Sequence, residues 1–302
     1  MKIKNFLQLI RYKNLLFLIL VQLLFSAMFV YAKTASFYNI DFIKLFLLIQ
    51  TTTLLAAAGN VINDYFDVEA DRINKPNKVI IGEFISGKNA LLIYFALNFF
   101  GVISGVVLAY IHGKVFYGLL FVAISSGLYL YSKSYKKIAV LGNFIISVFV
   151  ALSIYLIYLL PPFDNRFFDD YKQLKHAVFA YTIFAFLLNF IREIVKDLED
   201  INGDYSQEIK TLPIIIGRKR TQNSLFYIAS IPFLLSILLV SSLNNILIGI
   251  YFAVCILIPL GYFIYQIKEV KTKEQFHKLS TLLKFIMLFG ILSILLITTI
   301  SN

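Results

Sequence analysis

FIKLFLLIQTTTLLAAAGNVINDYFDVEAD, residues 42–71, decides the fold. From Phe42 to Ile62 the stretch carries one charge, Lys44, and is long enough to cross the ~30 Å hydrocarbon layer as a helix. It then runs without a break into Asn63-Asp64-Tyr65-Phe66-Asp67-Val68-Glu69-Ala70-Asp71. An apolar span that ends in a row of acids reads as a membrane helix presenting carboxylates to a water-facing surface. The rest of the chain repeats the apolar part. Runs at about 14–32, 41–64, 89–111, 115–132, 138–160, 174–195, 223–243, 246–266 and 279–300 each have spanning length. None shows the strict alternation of a barrel strand, and lipid tolerates only helices or closed barrels. The expectation is an all-α, polytopic membrane bundle of nine transmembrane helices around a central cavity opening to the cytoplasmic side, with the 302 residues forming one domain.

Composition excludes the soluble alternative. Hydrophobic residues make up 59% and charged residues 15%, with a mean hydropathy of +0.80, so too little polar surface exists to cover a globule of this size. The formal charge of +11 invites a nucleic-acid partner, but the bases sit in short loops between apolar runs. They concentrate in the N-terminal segment and in the loops after the second, fourth, sixth and eighth runs, which places those loops and the N-terminus in the cytoplasm and the C-terminus outside. No nucleic-acid partner is expected. The one cysteine, Cys255, lies inside an apolar run, so disulfides and thiolate metal sites are excluded.

A second acidic stretch, Lys196-Asp197-Leu198-Glu199-Asp200-Ile201-Asn202-Gly203-Asp204, repeats the first at an offset of 133: Asp64 falls on Asp197, Asp67 on Asp200 and Asp71 on Asp204. Two similar parts, with boxes at 63–71 and 196–204, suggest a site with two halves. On a helix, residues four apart share a face at about 6 Å spacing. Asn63, Asp67 and Asp71 then form one polar stripe, and Asp197, Asp200 and Asp204 another. Such carboxylates repel one another beside an apolar bundle unless a cation neutralises them. Oxygen ligands without neighbouring Cys or His favour Mg²⁺, with Asp67, Asp71, Asp200 and Asp204 as the expected metal ligands. Mg²⁺ is commonly shared between one or two carboxylates and substrate phosphates, which points to a diphosphate ligand. Bases on the same side must offset its remaining charge, and Arg11, Arg72, Lys75, Lys78, Lys133, Lys136, Lys137, Arg192 and Lys196 are the candidates. Asn63 and Asn189 are polar groups inside spans that need partners. His112, His176 and His277 fall away from both boxes in the sequence, so no histidine base is expected.

These residues resemble the UbiA-type intramembrane prenyltransferases. The family's Asn-Asp-x-x-Asp-x-x-x-Asp box and following Asn-[Lys/Arg]-Pro loop match Asn63, Asp64, Asp67, Asp71 and Asn74-Lys75-Pro76. Its second box matches Asp197, Asp200 and Asp204, and the likeness extends to Arg11-x-x-Asn14, to Tyr131-Ser132 with Lys136, and to nine spans. The strings GNVINDYFDVEADRINKPNK and REIVKDLEDINGD look most like the branch that prenylates a glycerol-phosphate ether lipid. Where the family commonly has Arg-Pro-Ile, this chain has Lys78-Val79-Ile80, a point charge in place of a bidentate fork.

The resemblance implies Mg²⁺-dependent transfer of a polyprenyl group from its diphosphate to a lipophilic or glycerol-phosphate acceptor within membrane lipid. It implies a catalytic set of Asn63, Asp64, Asp67, Asp71, Asp197, Asp200 and Asp204. The implied substrate-binding set is Arg11, Asn14, Arg72, Lys75, Lys78, Tyr131, Lys133, Lys136, Arg192 and Lys196. Prenylation of an aromatic quinone or haem precursor is the alternative within the family. Outside it stand a CDP-alcohol phosphatidyltransferase, whose glycine-containing aspartate motif is not matched, and a secondary transporter, whose acids tend to lie at the bilayer midplane.

Overall fold

The computed structural model describes residues 3–34, 40–162, 172–242 and 245–300, which form helices joined by short turns. Among the described residues there is no strand, only two isolated bridges. In chain order the helices are α1 (Ile3–Leu9), α2 (Tyr12–Thr34), α3 (Phe42–Phe66), α4 (Val68–Asn74), α5 (Gly87–Ile111), α6 (Gly118–Lys133), α7 (Leu141–Leu159), α8 (Lys172–Ser206), α9 (Leu212–Ile216), α10 (Arg218–Ser241), α11 (Ile246–Phe252), α12 (Ile258–Gln266) and α13 (Lys273–Ile300). Eight helical stretches among the described residues are long and apolar enough to cross a membrane, or up to nine if the bent pair α1 and α2 forms one span.

Local chemistry explains several of the boundaries. Asp41 starts α3 by accepting from the backbone amides of Ile43 and Lys44, and Ser86 starts α5 by accepting from Asn89. Between α11 and α12 the chain widens into a π-helical turn, Ala253–Leu257, just before Pro259. A proline cannot donate to the ladder, and such a turn absorbs the mismatch within an otherwise continuous span.

Several boundaries depart from the sequence reading, two of them with a clear local cause. The sixth run was expected to end near residue 195, but α8 continues to Ser206 and carries the whole second box as helix. Residues 196–206 contain no proline, and helix is the cheapest way to satisfy their backbone groups at a membrane edge. The last span begins at Lys273 instead of 279 because Thr272 and Gln275 form a reciprocal cap: Gln275 N–H donates to Thr272 Oγ1, and the amides of Lys271 and Thr272 donate to Gln275 Oε1.

The chain divides into two compact units, one of Met1–Lys136 with Leu152–Lys175 and one of Lys137–Ala151 with His176–Asn302. In the first, α3 packs against α5 and α6, and Leu9, Ala58, Val61, Ile62, Ile81 and Tyr94 form a core beneath the first box. In the second, Leu188, Ile191, Val195 and Leu198 make one stripe of α8 and pack on Leu225, Phe263, Phe276 and Leu283. At 100° per residue this leaves Asn189, Glu193, Lys196, Asp197, Asp200 and Asp204 on the opposite side of the same helix. Burying the apolar stripe therefore orients the acids.

Gly105 of α5 is tightly packed: an added Cβ would stand 2.5 Å from the Phe121 ring of α6. Gly105→Ala is expected to destabilise the protein by about 1–3 kcal/mol, read as a fall of several degrees in the thermal midpoint in detergent. Gly249→Ala, which meets nothing within 4 Å, is the control; equal midpoints for the two variants would refute the packing argument.

Candidate active site

The first box straddles a helix junction. Asp67 is at once the C-cap of α3 and the N-cap of α4, with φ −98°. The i→i+4 backbone bonds nevertheless run through it, from Asp67 to Asn63, Asp71 to Asp67 and Lys75 to Asp71. The expected stripe of Asn63, Asp67 and Asp71 thus survives a local break. Asn63 Nδ2 donates to Asp67 Oδ2 at 2.8 Å, and Lys136, on the turn Tyr135–Lys137 after α6, ion-pairs with Asp67 Oδ1. Asp64 holds Arg11 through Nη2 at 2.6 Å.

Arg11 reaches Asp64 because the chain bends by 62° between α1 and α2. Arg11 itself adopts a left-handed φ of +53°, unfavourable for a side chain with a Cβ. The preceding carbonyl, of Ile10, is anchored by Asn60 Nδ2 at 2.9 Å. Asn14 lies one turn on, with its amide bonded to the Arg11 carbonyl.

Burial pushes the Asp71 carboxyl above the ordinary carboxylate range, with Lys75 pulling it back and Asp67 and Asp64 pushing it further up. A carboxylate so placed gains from a nearby cation. Asn63 Oδ1 is buried without any donor, a position that a cation or a bound hydroxyl would satisfy. Among the described residues no three acids, histidines or cysteines are gathered into a self-sufficient metal centre. Mg²⁺ does not require one, because it keeps waters and takes one or two carboxylates together with substrate phosphates. The all-oxygen donor set and the orphaned Asn63 Oδ1 fit such an ion.

The other first-unit candidates take varied positions. Arg72 extends toward Glu83, 3.9 Å away, with both side chains half exposed. Lys133 lies over the Tyr129 ring at 5.7 Å. Tyr131 is half-buried in the last turn of α6, and Lys137 is exposed. The side chain of Lys78 lies outside the described residues.

In the second unit, Asp197 Oδ2 accepts from Asn143 Nδ2 of α7 at 2.9 Å. Asn143 is itself fixed. Ser147 Oγ donates to its carbonyl at 2.6 Å, and Asn189 Nδ2 donates to Ser147 Oγ at 3.2 Å. These buried polar groups tie α7 to α8 next to the box, and Asn189 serves as an interhelical hydrogen bond within that ladder. Arg192 and Lys196 do not turn to the aspartates. Both meet Glu193, at 3.2 and 2.8 Å, whose side chain is only 12% exposed. Lys273, at the start of α13, stands 3.8 Å from Asp200. His277, expected to fall away from both boxes, has Nδ1 2.9 Å from Glu199 Oε1. The contact joins residues 78 positions apart, which is why sequence distance misplaced it.

Asn60, Asn143, Glu193 and Lys273 were not singled out from the sequence. Glu193 and Asn143 carried a signal, since each is a polar side chain set in an apolar run. Asn60 carried the same signal within the second run, whereas Lys273 becomes recognisable only once its helix packs. A hydrogen bond to a charged group contributes about 1.5–3 kcal/mol to stability, so Asn143→Ala is expected to destabilise the protein by about that amount, read as a lower thermal midpoint in detergent. An unchanged midpoint would show that Asp197 is held without this partner.

Residues 16–296 match the family described as "UbiA prenyltransferase family". The chain is similar to the digeranylgeranylglyceryl phosphate synthase of Saccharolobus solfataricus, 33% identical over 98% of this chain and 97% of that one. It is also similar to that of Korarchaeum cryptofilum, 33% identical over 80% and 82%. Among solved structures it resembles one of digeranylgeranylglyceryl phosphate synthase in membranes, with 28% identity, TM-score 0.66 and 98% coverage of both chains. It shares its fold with a UbiA homolog from Archaeoglobus fulgidus bound to GPP and Mg²⁺, with 16% identity, TM-score 0.63, and coverage of 96% and 99%.

Proposed function

Since the chain belongs to the UbiA prenyltransferase family, and is therefore an integral membrane prenyltransferase, we propose that its acidic boxes bind Mg²⁺ for transfer of a prenyl group from its diphosphate and that its acceptor is a glycerol-phosphate lipid. The observation that carries this reading is the first box itself: Asp64 and Asp67 flanked by Arg11 and Lys136, with the unsatisfied Asn63 Oδ1 alongside. Whole-length similarity to digeranylgeranylglyceryl phosphate synthases supports both a geranylgeranyl donor and the glycerol-phosphate acceptor. The phosphatidyltransferase and transporter readings lose their footing with the family match, and no feature of the site favours an aromatic acceptor.

Bound Mg²⁺ supplies Lewis-acid stabilisation of the negative charge that grows on the departing diphosphate. Asp67, Asp71, Asp200 and Asp204 are its proposed ligands, with Asn63, Asp64 and Asp197 holding the boxes in shape. Arg11 and Lys136 bind the diphosphate, and their charge is greatest in effect as the C–O bond breaks toward an allylic cation. Arg72, Lys75 and Lys133 add positive potential at the surface. Apolar and aromatic walls keep water from that cation until the acceptor hydroxyl captures it. Phe144, Phe186 and Phe190, stacked or edge-on beside the α7–α8 ladder, offer π faces of the kind that attract a cation. The bias of bases toward the boxes' side supports a cytoplasmic site and a cytoplasmic N-terminus.

Purified protein in liposomes, given labelled geranylgeranyl diphosphate, Mg²⁺ and geranylgeranylglyceryl phosphate, should release pyrophosphate and form the doubly prenylated lipid. EDTA should abolish this. Asp67→Ala and Asp200→Ala should each lower turnover by more than about a hundredfold, the scale of losing a principal electrostatic element. Wild-type turnover in either variant would refute the assigned metal role, and transfer only to an aromatic acceptor would refute the acceptor.

A further inference from the structure

We infer that Arg11 and Lys136 are resident cations of the first box when the prenyl diphosphate is absent, and that the diphosphate admits a divalent ion there by drawing both bases onto itself. The inference rests on the reading of the boxes as a metal and diphosphate site, and adds the order in which that site fills.

Two carboxylates of the first box are engaged by bases brought from far along the chain, Asp64 by Arg11 across 53 residues and Asp67 by Lys136 across 69. The arrangement is over-determined. Arg11 is held in a left-handed backbone conformation at the α1–α2 bend, and Asn60 fastens the carbonyl just before it. Backbone strain of this kind persists only where the surroundings enforce it, and it collects at functional sites. Yet the bases do only part of a metal's work: each is spent on one carboxylate, and the buried Asn63 Oδ1 is left unserved although its own amide is bonded to Asp67. The second unit handles comparable bases differently, because Arg192 and Lys196 are gathered by Glu193 and Asp197 receives a neutral amide.

A divalent ion entering the first box alone must displace Lys136, whose side chain is 10% exposed, and strand a poorly hydrated ammonium. With a diphosphate present the same ammonium and the Arg11 guanidinium exchange a carboxylate for a phosphate oxygen, and the carboxylates become free for the ion. Metal and donor then bind the first box with positive coupling, which must be reciprocal.

The test is Mn²⁺ binding to the full chain in detergent, followed by EPR in an Asp200→Asn/Asp204→Asn background that silences the second box. A non-reacting geranylgeranyl thiolodiphosphate should tighten Mn²⁺ binding by about tenfold or more. Lys136→Gln should tighten Mn²⁺ by a similar factor in the absence of the analogue, while weakening the analogue itself. Equal Mn²⁺ affinity with and without the analogue overturns the inference, as does weaker Mn²⁺ binding in Lys136→Gln; should that variant not fold, the comparison on the unsubstituted box decides alone. Mn²⁺ binding insensitive to Asp67→Asn under both conditions would remove the metal reading as well.

Discussion

A carboxylate at the end of a membrane helix cannot be left to itself, because desolvation and its acidic neighbours both penalise its charge. Much of the architecture around the two boxes answers that constraint. In the first unit the answer is cationic: Arg11 on Asp64, Lys136 on Asp67 and Lys75 near Asp71. In the second it is partly neutral, with Asn143 on Asp197, while the bases of the same helix are collected by Glu193. Two boxes alike in sequence are therefore unlike in electrostatics.

The backbone serves the same end. A bend and a left-handed residue bring Arg11 back over α3, and a helix junction at Asp67 turns its carboxylate without interrupting the i→i+4 bonds on either side. In α8 no break is needed, because the apolar stripe that packs on α10, α12 and α13 leaves the acids on the opposite side. The Asn189–Ser147–Asn143 ladder then fixes the helix laterally. Satisfied buried polar networks of this kind specify one arrangement where apolar packing alone would tolerate several.

For a prenyl transfer this division has a chemical use. In the proposed mechanism, charge on the departing diphosphate is met by groups already in place, with Arg11 and Lys136 held beforehand on Asp64 and Asp67.

Much of this was legible in the chain itself. Spanning runs, the doubled acidic motif and the loop bases can be read without coordinates, because spanning length is set by bilayer thickness and motif spacing by the helical repeat. Helix ends were less legible: α8 runs on through Asn202-Gly203, a pair that commonly ends a helix, and the Thr272–Gln275 cap was present but easily passed over. What only the tertiary structure decided was partnership. That Arg11 meets Asp64, that Asn143 meets Asp197 and that His277 reaches Glu199 depends on contacts across 53 to 78 residues. Local periodicity carries no record of such distances, since they are set by how whole helices pack.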